Sequence, residues 1–337
     1  MKGGVFVIAE MSANHCGDKK LAKEIVAAAK ECGADAVKLQ TYTADTLTID
    51  CKKEIFRVKG GSLWDGRYLY DLYKEAYTPW EWQAELKMYG DDVGIEVFST
   101  PFDKTAVDFL ESIGVARYKI ASFEAVDLPL VSYVASMNKP VIVSTGICGL
   151  EGMQDVIDTC AAVGNNDLTL LKCTSAYPAE LESMNLLTIP DLRRRFERHG
   201  VKIGLSDHSI AVETVVAGVA LGARVVEKHF TLDRAFGGAD ARFSLNPEEF
   251  RQMVSAIRNT ERVLGQIDYS VTEEGRAFGR SLFAVKDILK GDVFTPENIR
   301  SIRPGCGCPP KFLPQIIGRR AALDIEAGTP FDMRFIE

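Results

Sequence analysis

VFVIAE (Val5–Glu10), AVKLQ (Ala36–Gln40), EVFST (Glu96–Thr100), RYKIAS (Arg117–Ser122), VIVSTG (Val141–Gly146), LTLLKCTS (Leu168–Ser175), KIGLSDH (Lys202–His208) and VVEKHF (Val225–Phe230) decide the fold of this chain. Each is a short apolar run that closes on polar or ionisable residues, and two of the eight close on histidine. Most are separated by an amphipathic stretch of helical length. Apolar runs this short read as strands buried on both faces, and strands alternating with helices read as βα units. Eight units in series predict an α/β fold of the (β/α)8, or TIM-barrel, type, whose chemistry collects at the C-terminal ends of the strands. The polar ends then meet in one ring: Glu10, Lys38, Gln40, Thr100, Lys119, Ser122, Ser144, Ser175, Ser206, Asp207, His208, Lys228 and His229. Such a ring has cationic, hydroxyl and metal-ligand character.

The stretches between the runs fit this reading. In DKKLAKEIVAAAKECGAD, Leu21, Ile25, Val26 and Ala29 recur at helical spacing and Gly33 is placed to end the helix. The segment from Thr41 to Pro79 is a long excursion after the second strand, with Gly60-Gly61 and then the aromatic-rich WDGRYLYDLYKEAYTPWEW. Excursions of this kind serve as lids or substrate walls, or as packed surface subdomains. DRAFGGADARFS (Asp233–Ser244) reads as a loop after the eighth strand, and a last barrel helix runs from Pro247 to Gly265. The barrel therefore occupies residues 1–265, a linker 266–279 and a small β-rich domain 280–337, whose turn signals KGD and EAGTP separate short β-like runs. A domain that small has a marginal core and is expected to lean on the barrel or on another subunit.

Composition narrows the function. Hydrophobic residues make up 46% and charged residues 26%, as in an ordinary soluble globular protein. A net charge of −7 argues against a non-specific nucleic-acid binder. No apolar run approaches the ~18–20 residues of a membrane span, and the early first strand leaves no room for a signal peptide. The eight cysteines are scattered, with Cys306-Gly-Cys308 the only close pair; reduced thiols and a cytoplasmic location are expected.

Two histidines on adjacent strand ends, in a chain with only four, point to a metal pair at His208 and His229. Asp207, between Ser206 and His208, is placed to orient a ligand. A lysine inside an apolar strand is costly unless it has a partner, which marks Lys38 and Lys119. Gln40 lies two residues beyond Lys38 and so shares its face. A single strand-end Ser or Thr reads equally as a helix cap; a whole ring of them does not.

IAEMSANHCGD, GADAVKLQTY, FSTPFD, YKIASFE, KPVIVSTG, LLKCTSAYP, GLSDHS and EKHFTLDR, in this order, resemble the motifs of the sialic acid synthase family, and KDILKGDVFTPENIRSIRPG resembles that family's antifreeze-like (SAF) domain. The resemblance runs from end to end. It implies condensation of phosphoenolpyruvate with an amino-sugar aldehyde. It places phosphoenolpyruvate on Lys38, Thr100, Lys119, Ser122, Ser144, Ser175 and Ser206, and a divalent cation, typically Mn²⁺ with Mg²⁺ or Co²⁺ as alternatives, on His208 and His229. Glu10 and Glu124 match acid/base positions. Gln40, Tyr177, Asp240 and Arg303 match sugar-contacting positions, Arg303 reaching the partner's barrel in a domain-swapped homodimer. Within the family, KGGSLWDGRYLYDLYKEAYTPWEW resembles the subgroup whose acceptor is a 2,4-diacetamido-2,4,6-trideoxy-altropyranose. SANH in place of G-x-N-H, Ser175 in place of Asn, and GGADARFSL in place of a G-P-D-H sequence point away from plain N-acetylneuraminate synthesis. N-acetylneuraminate or legionaminate synthesis with another N-acetylated amino sugar is the alternative within the family. A Schiff-base lysine aldolase would instead need one desolvated lysine without a bound anion. A carbohydrate- or ice-binding protein would need neither the histidine pair nor the anion clamp.

Overall fold

The computed structural model describes residues 4–59 and 63–337; Gly60 and Gly61 lie outside the described residues. Eight strands, β1 (Phe6–Glu10), β2 (Ala36–Thr41), β3 (Glu96–Pro101), β4 (Tyr118–Ile120), β5 (Val141–Ser144), β6 (Leu168–Cys173), β7 (Lys202–Asp207) and β8 (Val225–His229), follow one another around a closed barrel. Every neighbouring pair is parallel, and β1 closes against β8. The register sets the polar ends side by side: Glu10 stands beside both Lys38 and His229, Gln40 beside Thr100, and Ser206 beside Cys173 and Glu227.

Ten helices accompany the strands: α1 (Lys19–Glu31), α2 (Ala44–Leu47), α3 (Leu69–Ala76), α4 (Trp80–Val93), α5 (Lys104–Ser112), α6 (Leu128–Ala135), α7 (Leu150–Ala162), α8 (Thr188–Phe196), α9 (Val212–Ala220) and α10 (Pro247–Leu264). Their starts are written in the sequence. Asp18, Asp103 and Asp127 each accept a backbone N–H at the first turn of α1, α5 and α6, and Asn246 with Glu249 forms a capping box on α10. The outward faces of the strands bury Val7, Ala9, Val37 and Leu39 against Ile25, Val26, Phe250 and Met253 of the surrounding helices. Gly90 lets α4 lie against β3, since a Cβ there would come within 2.4 Å of a Val97 methyl. The β2 excursion is partly helical, containing α2 and α3.

The chain divides into two compact units, Met1–Gly265 and Gln266–Glu337. In the second, β9 (Ser281–Ala284) and β10 (Ile299–Ile302) pair antiparallel over a core that includes Leu282, Phe294, Ile299, Ile316 and Phe331. Residues 266–279, expected as a plain linker, contain a short helix, α11 (Glu273–Ala277), whose first turn is capped by the Thr272 hydroxyl. Among the described residues no helix is long and apolar enough to cross a membrane.

Candidate active site

Strand alternation turns Lys38, Lys119 and Glu227 toward the barrel lumen, where water is excluded. Lys38 Nζ lies 2.5 Å from Glu10 Oε2 and 3.7 Å from Glu227 Oε2, and donates to Thr100 Oγ1 at 3.1 Å. Lys119 Nζ lies 3.6 Å from Glu227 Oε1, which also accepts from Ser206 Oγ at 2.8 Å. All of these side chains are buried. Burial pushes the Lys119 ammonium down. Burial acts the same way on Lys38, but Glu10 and Glu227 outweigh it and hold Lys38 above its ordinary value. Burial works against the Glu227 carboxylate, yet Lys119, Lys38 and the Ser206 hydroxyl together keep its pKa low.

Across the lumen, Ser122 Oγ accepts from Ser175 Oγ at 3.0 Å and from the Ile147 backbone N–H at 3.1 Å. The buried Ser144 hydroxyl has no partner. Gly146 lets the two serines approach its backbone: a Cβ there would stand 2.0 Å from Ser175 Oγ and 2.7 Å from Ser122 Oγ. Hydroxyls and two buried lysines on the inner face of the barrel are the donors that an anion with several oxygens requires.

His208 donates from Nδ1 to the Thr174 carbonyl at 3.0 Å, which leaves Nε2 as a lone-pair donor. Its ring centroid lies 5.3 Å from that of His229, and Phe243 packs 4.8 Å from His229. Burial depresses both imidazoles, His208 to about 4 and His229 well below its ordinary value, with the His208 charge second among the causes for His229. Both are therefore neutral at physiological pH, the form a cation binds. His229 Nδ1 is buried without a hydrogen-bond partner, 3.8 Å from Asp240 Oδ2. This donor set fits a divalent ion whose remaining positions are filled by water and substrate oxygens. Among the described residues no cluster of three or more His, Cys, Asp or Glu side chains converges on one point; the histidine pair is the donor set these residues offer.

Gln40 donates from Nε2 to Glu10 Oε1 at 3.2 Å. The Tyr177 ring packs tilted against His208 and Trp64, with centroid distances of 4.5 Å and 5.6 Å. Asp240, raised by burial, accepts from the Ser12 hydroxyl. Ser12 holds φ +45°, a left-handed conformation that favours glycine, so SANH keeps a strained backbone and gains this hydrogen bond. Glu124 is pushed from 4.5 to about 7, chiefly by burial, and its Oε2 has no partner. Burial likewise raises Glu10, despite Lys38. Gln40, Glu124, Tyr177, His229 and Asp240 line one cavity of about 360 Å³. Arg303 belongs to the second unit, exposed just past β10.

Two residues of the expected ring do not face the lumen. With Ser206, His208, Glu227 and His229 turned inward, alternation turns Asp207 and Lys228 outward toward α9. There Lys228 Nζ meets Asp207 Oδ2 at 2.6 Å, and Asp207 also holds the Ser209 N–H at 2.8 Å and the Thr214 hydroxyl. Asp207 thus braces the strand end and does not contact the His208 ring, whose Nδ1 is taken by Thr174. Glu227 was absent from the expected ring; its position two residues before His229 is the signal that places it on the same inner face.

Fold and mouth define a (β/α)8-barrel enzyme. A model described as the NeuB family matches residues 25–269, and one described as the SAF domain matches residues 279–334. The chain is 47% identical to a pseudaminic acid synthase of Campylobacter jejuni over 96% of its own length and 94% of that protein. It is 37% identical to the N,N'-diacetyllegionaminic acid synthase of Legionella pneumophila, covering 98% of this chain and 94% of the relative. The crystal structure of N-acetylneuraminic acid synthetase from Leptospira borgpetersenii, in complex with citrate, superposes with a TM-score of 0.72 at 29% identity, covering 81% of this chain and 89% of that one. The chain belongs to the NeuB family.

Proposed function

We propose that this chain condenses phosphoenolpyruvate with 2,4-diacetamido-2,4,6-trideoxy-β-L-altropyranose and water, giving pseudaminic acid and phosphate. The observation that carries the reading is the barrel mouth, where two buried lysines and a ring of hydroxyls adjoin a neutral histidine pair. Identity to a pseudaminic acid synthase at 47%, against 37% to a legionaminate-forming relative, supports this acceptor.

Lys38 and Lys119, with Thr100, Ser122, Ser144, Ser175 and Ser206, hold the carboxylate and phosphate of phosphoenolpyruvate. Glu227 keeps the two ammonium groups charged until the anion arrives. Gln40, Tyr177 and Asp240 orient the open-chain sugar. His208 and His229 would hold a divalent cation, Mn²⁺ foremost and Mg²⁺ or Co²⁺ as alternatives, which when bound supplies Lewis-acid polarisation of the aldehyde. The methylene carbon of phosphoenolpyruvate forms its new bond to the aldehyde carbon, and the aldehyde oxygen takes a proton. Water adds at C2, losing one proton; the C2–O bond to phosphate then breaks as the C2 hydroxyl gives its proton to the departing phosphate, leaving the 2-keto acid. Glu10 and Glu124 serve the proton transfers at the aldehyde oxygen and the attacking water. The free cysteines support a cytoplasmic location, and Arg303 completes the sugar site of a partner in a domain-swapped homodimer.

The test is phosphate release from phosphoenolpyruvate with a panel of acceptors, products read by mass spectrometry. Turnover of the altro sugar in preference to its manno isomer and N-acetylmannosamine is expected; preference for either of the others overturns the acceptor. Titration with Mn²⁺ should show binding in the wild type and its loss in His208→Ala. Equal Mn²⁺ binding by the two removes the metal assignment.

A further inference from the structure

The cavity at the barrel mouth has two characters. Beside the histidines it is lined by Ser12, Gln40, Glu124, His229 and Asp240; away from them it is lined by Leu47, Val58, Leu69, Leu72 and Phe102, with Tyr73 beside them. Four of these apolar residues come from the β2 excursion: Leu47 ends α2, Val58 directly follows Arg57, which bridges to Tyr68, and Leu69 and Leu72 lie one turn apart on α3. None of the four belongs to the hydrophobic cores of the barrel. Leu47, Val58 and Leu69 are half-buried and Leu72 is buried. They line the cavity and stand outside the two core clusters of the barrel, while the charged residues Lys52, Lys53, Glu54 and Lys59 of the same excursion are exposed. The excursion is tied to the site, since Trp64 Nε1 donates to the Ala239 carbonyl at 3.2 Å, next to Asp240.

An apolar wall of this kind offers no partner to a sugar hydroxyl, which would lose its water on entering. A sugar carrying methyl groups where most sugars carry hydroxyls would bury them there with gain. We infer that the β2-excursion wall is the specificity element for a 6-deoxy, N-acylated acceptor: Leu47, Val58, Leu69 and Leu72 receive the methyl-bearing end of the sugar while its aldehyde end lies at the histidines. This rests on the synthase reading above and deepens it, by naming the chemical feature of the acceptor that the chain recognises and the residues that recognise it.

The test compares a 6-deoxy acceptor with its 6-hydroxy analogue, each in the altro and manno series, in the wild type and in Val58→Thr and Leu69→Thr. Apolar pockets discriminate a single small group by roughly 10- to 200-fold. The wild type should favour the 6-deoxy sugar by a kcat/KM ratio in that range. Each variant should narrow the ratio several-fold with KM for phosphoenolpyruvate unchanged, and that unchanged KM also shows that the variant is folded. Val58 sits on a loop and Leu69 at a helix start, so either variant can decide if the other fails to fold. Equal use of the 6-deoxy and 6-hydroxy sugars by the wild type, or a ratio unmoved in both variants, overturns the wall. Preference for the manno 6-deoxy sugar over the altro one would overturn the acceptor proposed above and leave the wall standing.

Discussion

The three glutamates of the barrel mouth share one sequence chemistry and hold different charge states, because their neighbours differ. Glu227 has two lysines and a serine hydroxyl within reach and stays ionised, whereas Glu124 has burial against it and an unpartnered Oε2. With its folded value raised from 4.5 to about 7, Glu124 binds its proton more tightly in the folded chain than in the unfolded one. Its contribution to stability is therefore fully present below 4.5 and is lost as pH rises through about 7. At pH 8 the loss amounts to about 3 kcal/mol. Glu124→Gln, which stays neutral, should accordingly unfold at higher temperature than the wild type at pH 8, with the advantage vanishing near pH 4. The same variant should lose at least about 10²-fold in condensation rate, the usual contribution of a proton-transfer group. Thermal unfolding across a pH series checks the first point; an advantage that did not change with pH would show that Glu124 ionises like a surface carboxylate.

At the scale of the element, the ends of β7 and β8 are fastened on their outer faces by Asp207 and Lys228, while their inner faces present Ser206, His208, Glu227 and His229. The fastening pair is completely buried. Removing one member leaves a buried charge unpaired, which costs about 3–5 kcal/mol. Lys228→Met should lose stability on that scale in urea unfolding. Asp207→Asn with Lys228→Met should lose less than the sum of the single changes, because residues in contact are coupled. Additivity in that cycle would show that the two side chains act independently. This pair also marks how far the sequence could be read. The eight strands were legible because each is an apolar run with polar residues at its end, and Lys38 and Lys119 because a lysine inside an apolar strand needs a partner. The in–out assignment at β7 and β8 was not legible from polarity alone, since inner and outer faces both carry polar groups. Glu227 reads as a surface Glu-Lys dipeptide until the period of two is counted back from His229. α11 went unseen because five residues are too few for a periodic signal. The excursion could be read as a wall or as a subdomain, and only the placement of Leu47, Val58, Leu69 and Leu72 around the cavity separates the two.

At the scale of the molecule, two groups of exposed apolar residues bear on assembly, among others such as Met88, Val263 and Leu289 that lie elsewhere. In the first unit, Phe123, Ile147, Leu181, Leu187, Ile210 and Phe236 are all exposed, and all lie on segments that follow β4 to β8, the rim of the barrel mouth. In the second unit, Ile267, Tyr269, Val271 and Phe278 are exposed along the stretch that includes α11, with Tyr269 at 92%. Apolar surface of this kind is what the homodimer proposed above would cover. A swapped dimer, in which each second unit covers the other chain's barrel mouth, would bury both sets and carry Arg303 to the partner's sugar site. Arg303→Ala should then remain dimeric and bind phosphoenolpyruvate normally, but lose most turnover of the acceptor. His229→Ala should be inactive for a different reason, its own barrel being damaged. Mixed under conditions of subunit exchange, the two variants form heterodimers in which one barrel has both histidines intact and receives an intact Arg303 from the other chain. Activity should therefore reappear on mixing, rise with the heterodimer fraction and level off at one working barrel per heterodimer. Exchange demonstrated by mass spectrometry of differently tagged chains, without any return of activity, would place Arg303 in the service of its own chain and remove the swapped arrangement.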